Sequence, residues 1–184
     1  MKGEAFYFCR RERVKRYVME AYCLFCNTNR CRQIASEIYR KFGFTAYSPA
    51  IIQRKWIKGR CYEESKDYLP GYVFLYSDVP IRSFREIVQI DGVLRFLGDK
   101  DKGFVLRDDD RTFADMIYAR QGQIGVFKAF EVGKRVYLTK ESLAGMEGEI
   151  VKLDRRKGRA QVAFRFDSKS FRIWIAYDMI TEVQ

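Results

Sequence analysis

The chain has 184 residues, of which 47% are hydrophobic, 16% aromatic and 32% charged; apolar and charged positions are interleaved, which marks a folded protein and leaves room for one domain or two small ones. No apolar run approaches the roughly 20 residues that cross a bilayer, and the first 20 residues, with Arg10, Arg11, Arg13, Lys15 and Arg16, hold no signal-like stretch, so neither a membrane span nor export is expected. The formal charge of +11 points toward a polyanion or an acidic surface, and the absence of histidine removes Ser-His and Cys-His catalysis, so no enzymatic activity is expected.

That charge is not uniform. Basic residues exceed acidic ones by three over 1–20, by six over 21–107 and by three over 131–184, whereas 108–130 falls one short. Two basic bodies flanking a near-neutral connector are expected. Five cysteines in a chain that can build its own core suit free thiols in a reducing cytoplasm.

In chain order, residues 1–20 read as a basic extension. The apolar run 21–26 predicts a buried strand, and Asn27-Thr28-Asn29 precedes a helix through Ile34, Ile38 and Phe42 to Gly43. Residues 44–58 read as extended, and the polar stretch 59–67 as a hairpin tip. A second strand follows over 68–76. Asp78, with Pro80 in the first turn, predicts a helix carrying Phe84, Ile87 and Val88, before the break at Asp91-Gly92 and a strand over 93–97. The order β-α-β-β-α-β is that of a ferredoxin-like split βαβ unit, an α+β fold. Asp108-Asp109-Asp110 predict the start of a short helix ending near residue 120, which closes a domain spanning 21–120.

Gly122 and Gly125 mark 121–130 as a linker. Beyond it, short strands are expected at 135–138 and 149–153, the latter after a Gly145-x-x-Gly148 turn. Alternation of Ala160, Val162, Phe164 and Phe166, and then of Phe171, Ile173 and Ile175, adds two more. Several short strands in residues 131–184 predict a small SH3-like barrel.

Two segments carry a resemblance. Tyr68-Leu69-Pro70-Gly71-Tyr72-Val73-Phe74-Leu75-Tyr76, followed by Val93-Leu94-Arg95-Phe96-Leu97-Gly98, is similar to the Pro-Gly-Tyr-Val region of NusG amino-terminal (NGN) domains. Val132-Gly133-Lys134-Arg135-Val136 with Gly145-Met146-Glu147-Gly148-Glu149-Ile150-Val151 resembles a KOW motif, although Glu141-Ser142 stand where that motif usually has Gly-Pro. The chain is therefore identified as resembling the NusG family of transcription elongation factors. Asp154-Arg155-Arg156-Lys157-Gly158-Arg159-Ala160 further resembles the arginine-rich hairpin of LoaP-type antiterminators.

The resemblance implies a monomeric, cytoplasmic antiterminator without cofactors. Its first domain would leave an apolar depression for the clamp helices of the largest RNA polymerase subunit, with Tyr22, Phe25, Tyr68, Leu69, Pro70, Tyr72 and Phe96 as candidate contacts. Its KOW domain would bind RNA, in a LoaP-like protein a structured 5′ leader, through Lys134, Arg135, Lys140, Lys152, Arg155, Arg156, Lys157, Arg159, Arg165, Lys169 and Arg172. Physical chemistry supports the basic run, because cations on a turn fan into solvent and can track phosphates.

Two alternatives use the same features. A stand-alone RRM shares the element order and an aromatic strand, but Leu69-Pro70-Gly71 lacks the basic entry of the RRM fingerprint. A ribosome-associated KOW protein would have no use for the first domain. Cys23, Cys26 and Cys31, with Cys61 or Cys9 as a fourth ligand, invite a zinc reading, but residues three apart on a strand point to opposite faces, so no metal is expected.

Overall fold

A computed structural model of the chain describes residues 19–98, 103–132, 135–138 and 148–180. The basic extension, apart from its last two residues, and the Gly145 turn therefore lie outside the described residues. The apolar run forms β1 (Glu20–Cys26), the middle of the first sheet, with buried residues on both of its faces. A 3-10 turn (Thr28–Arg30) leads into α1 (Cys31–Phe42), which buries Cys31, Ile34, Ala35 and Ile38 at helical spacing and ends at Gly43, whose N–H donates to the Tyr39 carbonyl at 2.9 Å.

The extended stretch 44–58 is interrupted at Ser48-Pro49 into β2 (Thr45–Tyr47) and β3 (Ala50–Ile57). The polar stretch expected as a hairpin tip is instead a full strand, β4 (Arg60–Asp67), paired with β3 from Ala50↔Asp67 to Ile57↔Arg60. The tip is only Lys58-Gly59, both at positive φ (48° and 77°), which matches a two-residue turn of the kind that joins twisted strands. Next come β5 (Tyr72–Ser77), α2 (Phe84–Val88) and β6 (Val93–Phe96). Asp78 does not cap α2, contrary to expectation. The Ser77 hydroxyl bonds with the N–H and carbonyl of Val79, closing a turn there, and the helix begins after Ser83. The sheet order is β2-β5-β1-β6, with every pair antiparallel.

Helix α3 (Asp108–Ala119) carries three aspartates in its first turn, where the helix dipole favours them. Residues 121–130, expected as a linker, are structured: β7 (Gln123–Ile124) pairs with β3, and β8 (Phe127–Val132) joins the next sheet. Gly122 is not a loose joint. It stops α3 at φ 77° with its N–H on the Ile117 carbonyl, and a Cβ there would sit 2.9 Å from Tyr47.

The second sheet has the order β10-β11-β12-β8-β9, formed by β9 (Arg135–Leu138), β10 (Gly148–Asp154), β11 (Arg159–Phe166) and β12 (Lys169–Met179) with β8. A 3-10 turn, Arg155–Lys157, joins β10 to β11; its backbone is closed by the Asp154 carboxylate accepting from the Lys157 N–H. Along β11 the even residues Ala160, Val162, Phe164 and Phe166 are buried, as the alternation predicts.

Two cores result. Tyr22, Leu24, Ile34, Ile38, Val73, Leu75, Ile87 and Phe96 form one between the first sheet and helices α1 and α2. The other lies on the opposite face, where Ala21, Cys23, Tyr72, Phe74 and Tyr76 meet α3, and it runs without interruption into Ala160, Val162, Phe164, Phe166 and Ile175 of the second sheet.

Candidate functional site

Cross-strand partners share a face, so the register of β10, β11 and β12 shows where the basic residues go. Lys152 pairs with Gln161, Arg172 with Ala163, Arg165 with Ser170, and Arg159 with Ala176. The odd residues of β11 thus define an outer face holding Lys152, Arg159, Arg165 and Arg172, opposite the buried even residues. The 3-10 turn adds the exposed Arg155, Arg156 and Lys157 at the end of that face. Seven of the expected RNA-contacting residues converge there.

Their freedom differs. Arg159 donates to Asp154 at 3.0 Å and lies 4.5 Å from the centre of the Trp174 ring, so it is half-buried and partly neutralised. Lys152, Arg156, Lys157, Arg165 and Arg172 are exposed. Lys169 does not belong to this face: it sits where the two sheets meet, 3.3 Å from the Tyr72 hydroxyl and 5.5 Å from the centre of the Phe25 ring. Arg135 is on β9, and Lys134 and Lys140 lie outside the described residues.

The expected polymerase contacts divide in two. Tyr22 and Phe96 belong to the helix-side core: Tyr22 packs edge-on against Phe84 and donates to Glu20, and Phe96 forms a three-ring cluster with Phe84 and Phe104. Even positions of β1 point toward α1 and α2, so neither ring offers surface here. Burial and the Glu20 bond push the Tyr22 hydroxyl up to about 12. Tyr68, Leu69 and Tyr72 are on the other face, yet each is at most 3% exposed because the second sheet lies over them. Phe25 is half-buried at its edge, and only Pro70 is exposed.

The covering contacts are aromatic. Tyr68 stacks on Phe164 at 5.2 Å, Phe113 on Phe164 at 5.6 Å, Phe74 tilts against Phe166 at 5.2 Å, and Tyr72 meets Phe166 and Phe171 edge-on. Each such pair adds about 0.5–1.5 kcal/mol beyond area burial. Asp110 accepts from the Asp167 N–H at 3.1 Å, and burial raises its carboxyl above the ordinary range. At the far edge Gln53 donates to the Trp174 carbonyl at 2.9 Å, and Arg54 forks onto both Asp178 oxygens at 2.6 and 3.2 Å.

The cysteines follow the strand alternation: Cys23 is in the core shared with the second sheet, Cys26 and Cys31 are in the helix-side core, and Cys61 is exposed on β4. Burial drives the Cys23 thiol up and that of Cys26 to about 12. No helix among the described residues is long and apolar enough to cross a membrane.

The described residues form an α+β arrangement, a helix-backed sheet followed by a second, all-β sheet. The family model described as NusG, a transcription termination factor, matches residues 19–113, just over half of the chain. The chain belongs to the NusG family. It is 22% identical over 150 residues to the transcription termination/antitermination protein NusG of Rickettsia felis, covering 81% of this chain and 78% of that one. It also superposes on a solved structure described as "Domain interaction in Thermotoga maritima NusG" with a TM-score of 0.51 at 13% identity, over 86% of this chain and 93% of the other, a likeness of fold.

Proposed function

We propose that this protein is a cytoplasmic, monomeric elongation and antitermination factor, in which residues 21–120 form an NGN domain that grips RNA polymerase and residues 131–184 a KOW barrel that binds RNA. The observation that carries the RNA half is the convergence of Lys152, Arg155, Arg156, Lys157, Arg165 and Arg172 on one outer face. A nucleic acid can meet that face without disturbing the buried even residues of β11. The arginine-rich turn favours a LoaP-like specialisation, with a structured 5′ leader as ligand and RNA affinity raising the local concentration of the factor at chosen operons.

For the polymerase half, family membership supports the partner and the apolar strip Tyr68, Leu69, Tyr72 and Phe25 supplies the chemistry that clamp helices would need. The strip lies beneath the second sheet, so in this reading polymerase engages it after the second unit swings away, with Pro70 and Phe25 at the accessible rim.

Replacing Arg155, Arg156 and Lys157 together with Gln tests the RNA half. For every phosphate no longer neutralised, the dependence of log affinity on log salt should flatten by about 0.7–0.9, and affinity should fall, while stability stays within about 0.5 kcal/mol of the parent. Unchanged RNA affinity with an unchanged salt slope would overturn the assignment.

A further inference from the structure

The hairpin β3–β4 reaches beyond the first sheet and stands beside the basic turn of the second. Because Arg54 pairs with Glu63 and Trp56 with Cys61, these four side chains share one face of the hairpin. They form one wall of a cleft whose other wall is Arg156, Lys157 and Gly158. The cleft is a surface depression of about 500 Å³ that is wide open to solvent, as a groove for a strand would be. Contacts beside it fix its width: Arg54 to Asp178 and to the Tyr177 carbonyl at 3.3 Å, and Gln53 to the Trp174 carbonyl.

Trp56 is 47% exposed in this cleft, and among the described residues its ring stacks on no other aromatic. Arg156 and Lys157 are exposed opposite it and form no ion pair among the described residues, whereas Arg54 is engaged by Asp178 and Glu63. With Arg54 balanced by Glu63 and Asp178, Arg156 and Lys157 leave the cleft net positive, and Lys58 and Arg60 stand at the hairpin end. A large π-face set against two unpaired cations is the combination that binds single-stranded nucleic acid, with stacking for the base and charge for the phosphates. An apolar protein partner would leave both cations desolvated without counter-charge.

We infer that this cleft seats an unpaired nucleotide of a nucleic-acid strand, its base stacked on Trp56 and its flanking phosphates held by Arg156 and Lys157. The inference rests on the reading of the basic turn as a nucleic-acid contact and adds to it a base-stacking wall from the other half of the molecule. Both walls are present only while the two units are packed together, so the strand is clamped in the closed arrangement, before the second unit swings away for polymerase.

The test uses the full chain with 5′-labelled oligouridylate and oligothymidylate in anisotropy titrations across salt concentrations. Trp56→Ala should weaken binding roughly tenfold with an unchanged salt slope, and Trp56→Phe should restore most of it. Arg156→Gln/Lys157→Gln should weaken binding and flatten the slope by about 1.4, as two single-strand phosphate contacts require. In a Trp174→Phe background, emission from Trp56 should be quenched on binding, a readout that does not depend on how Trp56→Ala folds. A preference for either strand supports the seat and identifies its source as transcript or displaced DNA. Wild-type affinity in Trp56→Ala with weak binding in the double Gln variant would overturn the seat and leave the basic-turn reading standing. Wild-type affinity in the double Gln variant would overturn both, and failure of Trp56→Phe to rescue, or an unquenched Trp56, would overturn the stacking.

Discussion

The two faces of the first sheet are covered in different ways. The face toward α1 and α2 is sealed by helices adjacent in sequence to the strands they cover, so Ile34, Ile38 and Ile87 are committed to it whenever the first unit is folded. The face bearing Tyr68, Tyr72 and Phe74 is sealed by α3 and by β11 and β12, some 90 residues further on. We read the first seal as intrinsic, and the part of the second that β11 and β12 supply as conditional. The part of this face under β11 and β12, unlike the part under α3, can be uncovered without unfolding the first unit, as the proposed docking of polymerase requires.

The largest effects should separate the two seals. Ile38→Ala removes a fully buried side chain from the intrinsic core, and Phe166→Ala removes the ring that meets Tyr72, Phe74 and Phe113 across the sheets. Each should cost about 2–5 kcal/mol. Ile38→Ala should lower the stability of the first unit, whereas Phe166→Ala should also uncouple the units and split one calorimetric transition into two. A single, uniformly lowered transition for both variants would mean that the two cores are one cooperative structure.

The next effect concerns access. If the closed arrangement is favoured by about 2.7 kcal/mol, the face is open in about one molecule in a hundred, and affinity for a partner that needs it falls by the same factor. Residues 1–120 alone should therefore bind core polymerase about 100-fold more tightly than the full chain, and should bind an apolar dye that the full chain does not. Equal polymerase affinity for both would remove the conditional seal from the mechanism.

How much of this was legible in the sequence follows from the same distinction. Local periodicity placed β1, α1, α3 and the alternation of β11 correctly, because each is defined by which of its own residues are apolar. It missed β4, whose residues Arg60–Asp67 are almost all exposed and whose strand conformation comes from backbone pairing with β3. It read Gly122 as loose because nothing nearby in sequence announces Tyr47. It could identify aromatic candidates for polymerase contact but not their faces: Tyr22 and Phe96 went to the intrinsic core, and Tyr68 and Tyr72 under a unit arriving from elsewhere. The basic turn was legible, since a run of cations is a local fact. The stacking wall opposite it was not, because Trp56 lies about 100 residues away.

The smallest effect belongs to the polar edge that helps hold the units together, and it has a definite pH dependence. Arg54 forks onto Asp178 while Glu63 stands behind it, but the Asp178 side chain is 62% exposed, so solvent screening limits the pair to about 1 kcal/mol. The hydrogen bond from Arg54 holds the Asp178 carboxyl below its ordinary range. A depressed carboxyl stabilises the fold above its unfolded pKa of about 3.9, and that contribution disappears as pH falls through the lower, folded value. Asp178→Asn should therefore be less stable than the parent by up to about 1 kcal/mol at neutral pH, the gap should persist down to about pH 5, and the two proteins should converge in stronger acid. The gap should also narrow in high salt, as expected of a partly exposed pair. Denaturant melts of both proteins across pH measure it directly. A gap that widened toward acid would mean that Asp178 is destabilised by its surroundings rather than held by Arg54, and the edge would then be a consequence of the aromatic contact and not a clasp in its own right.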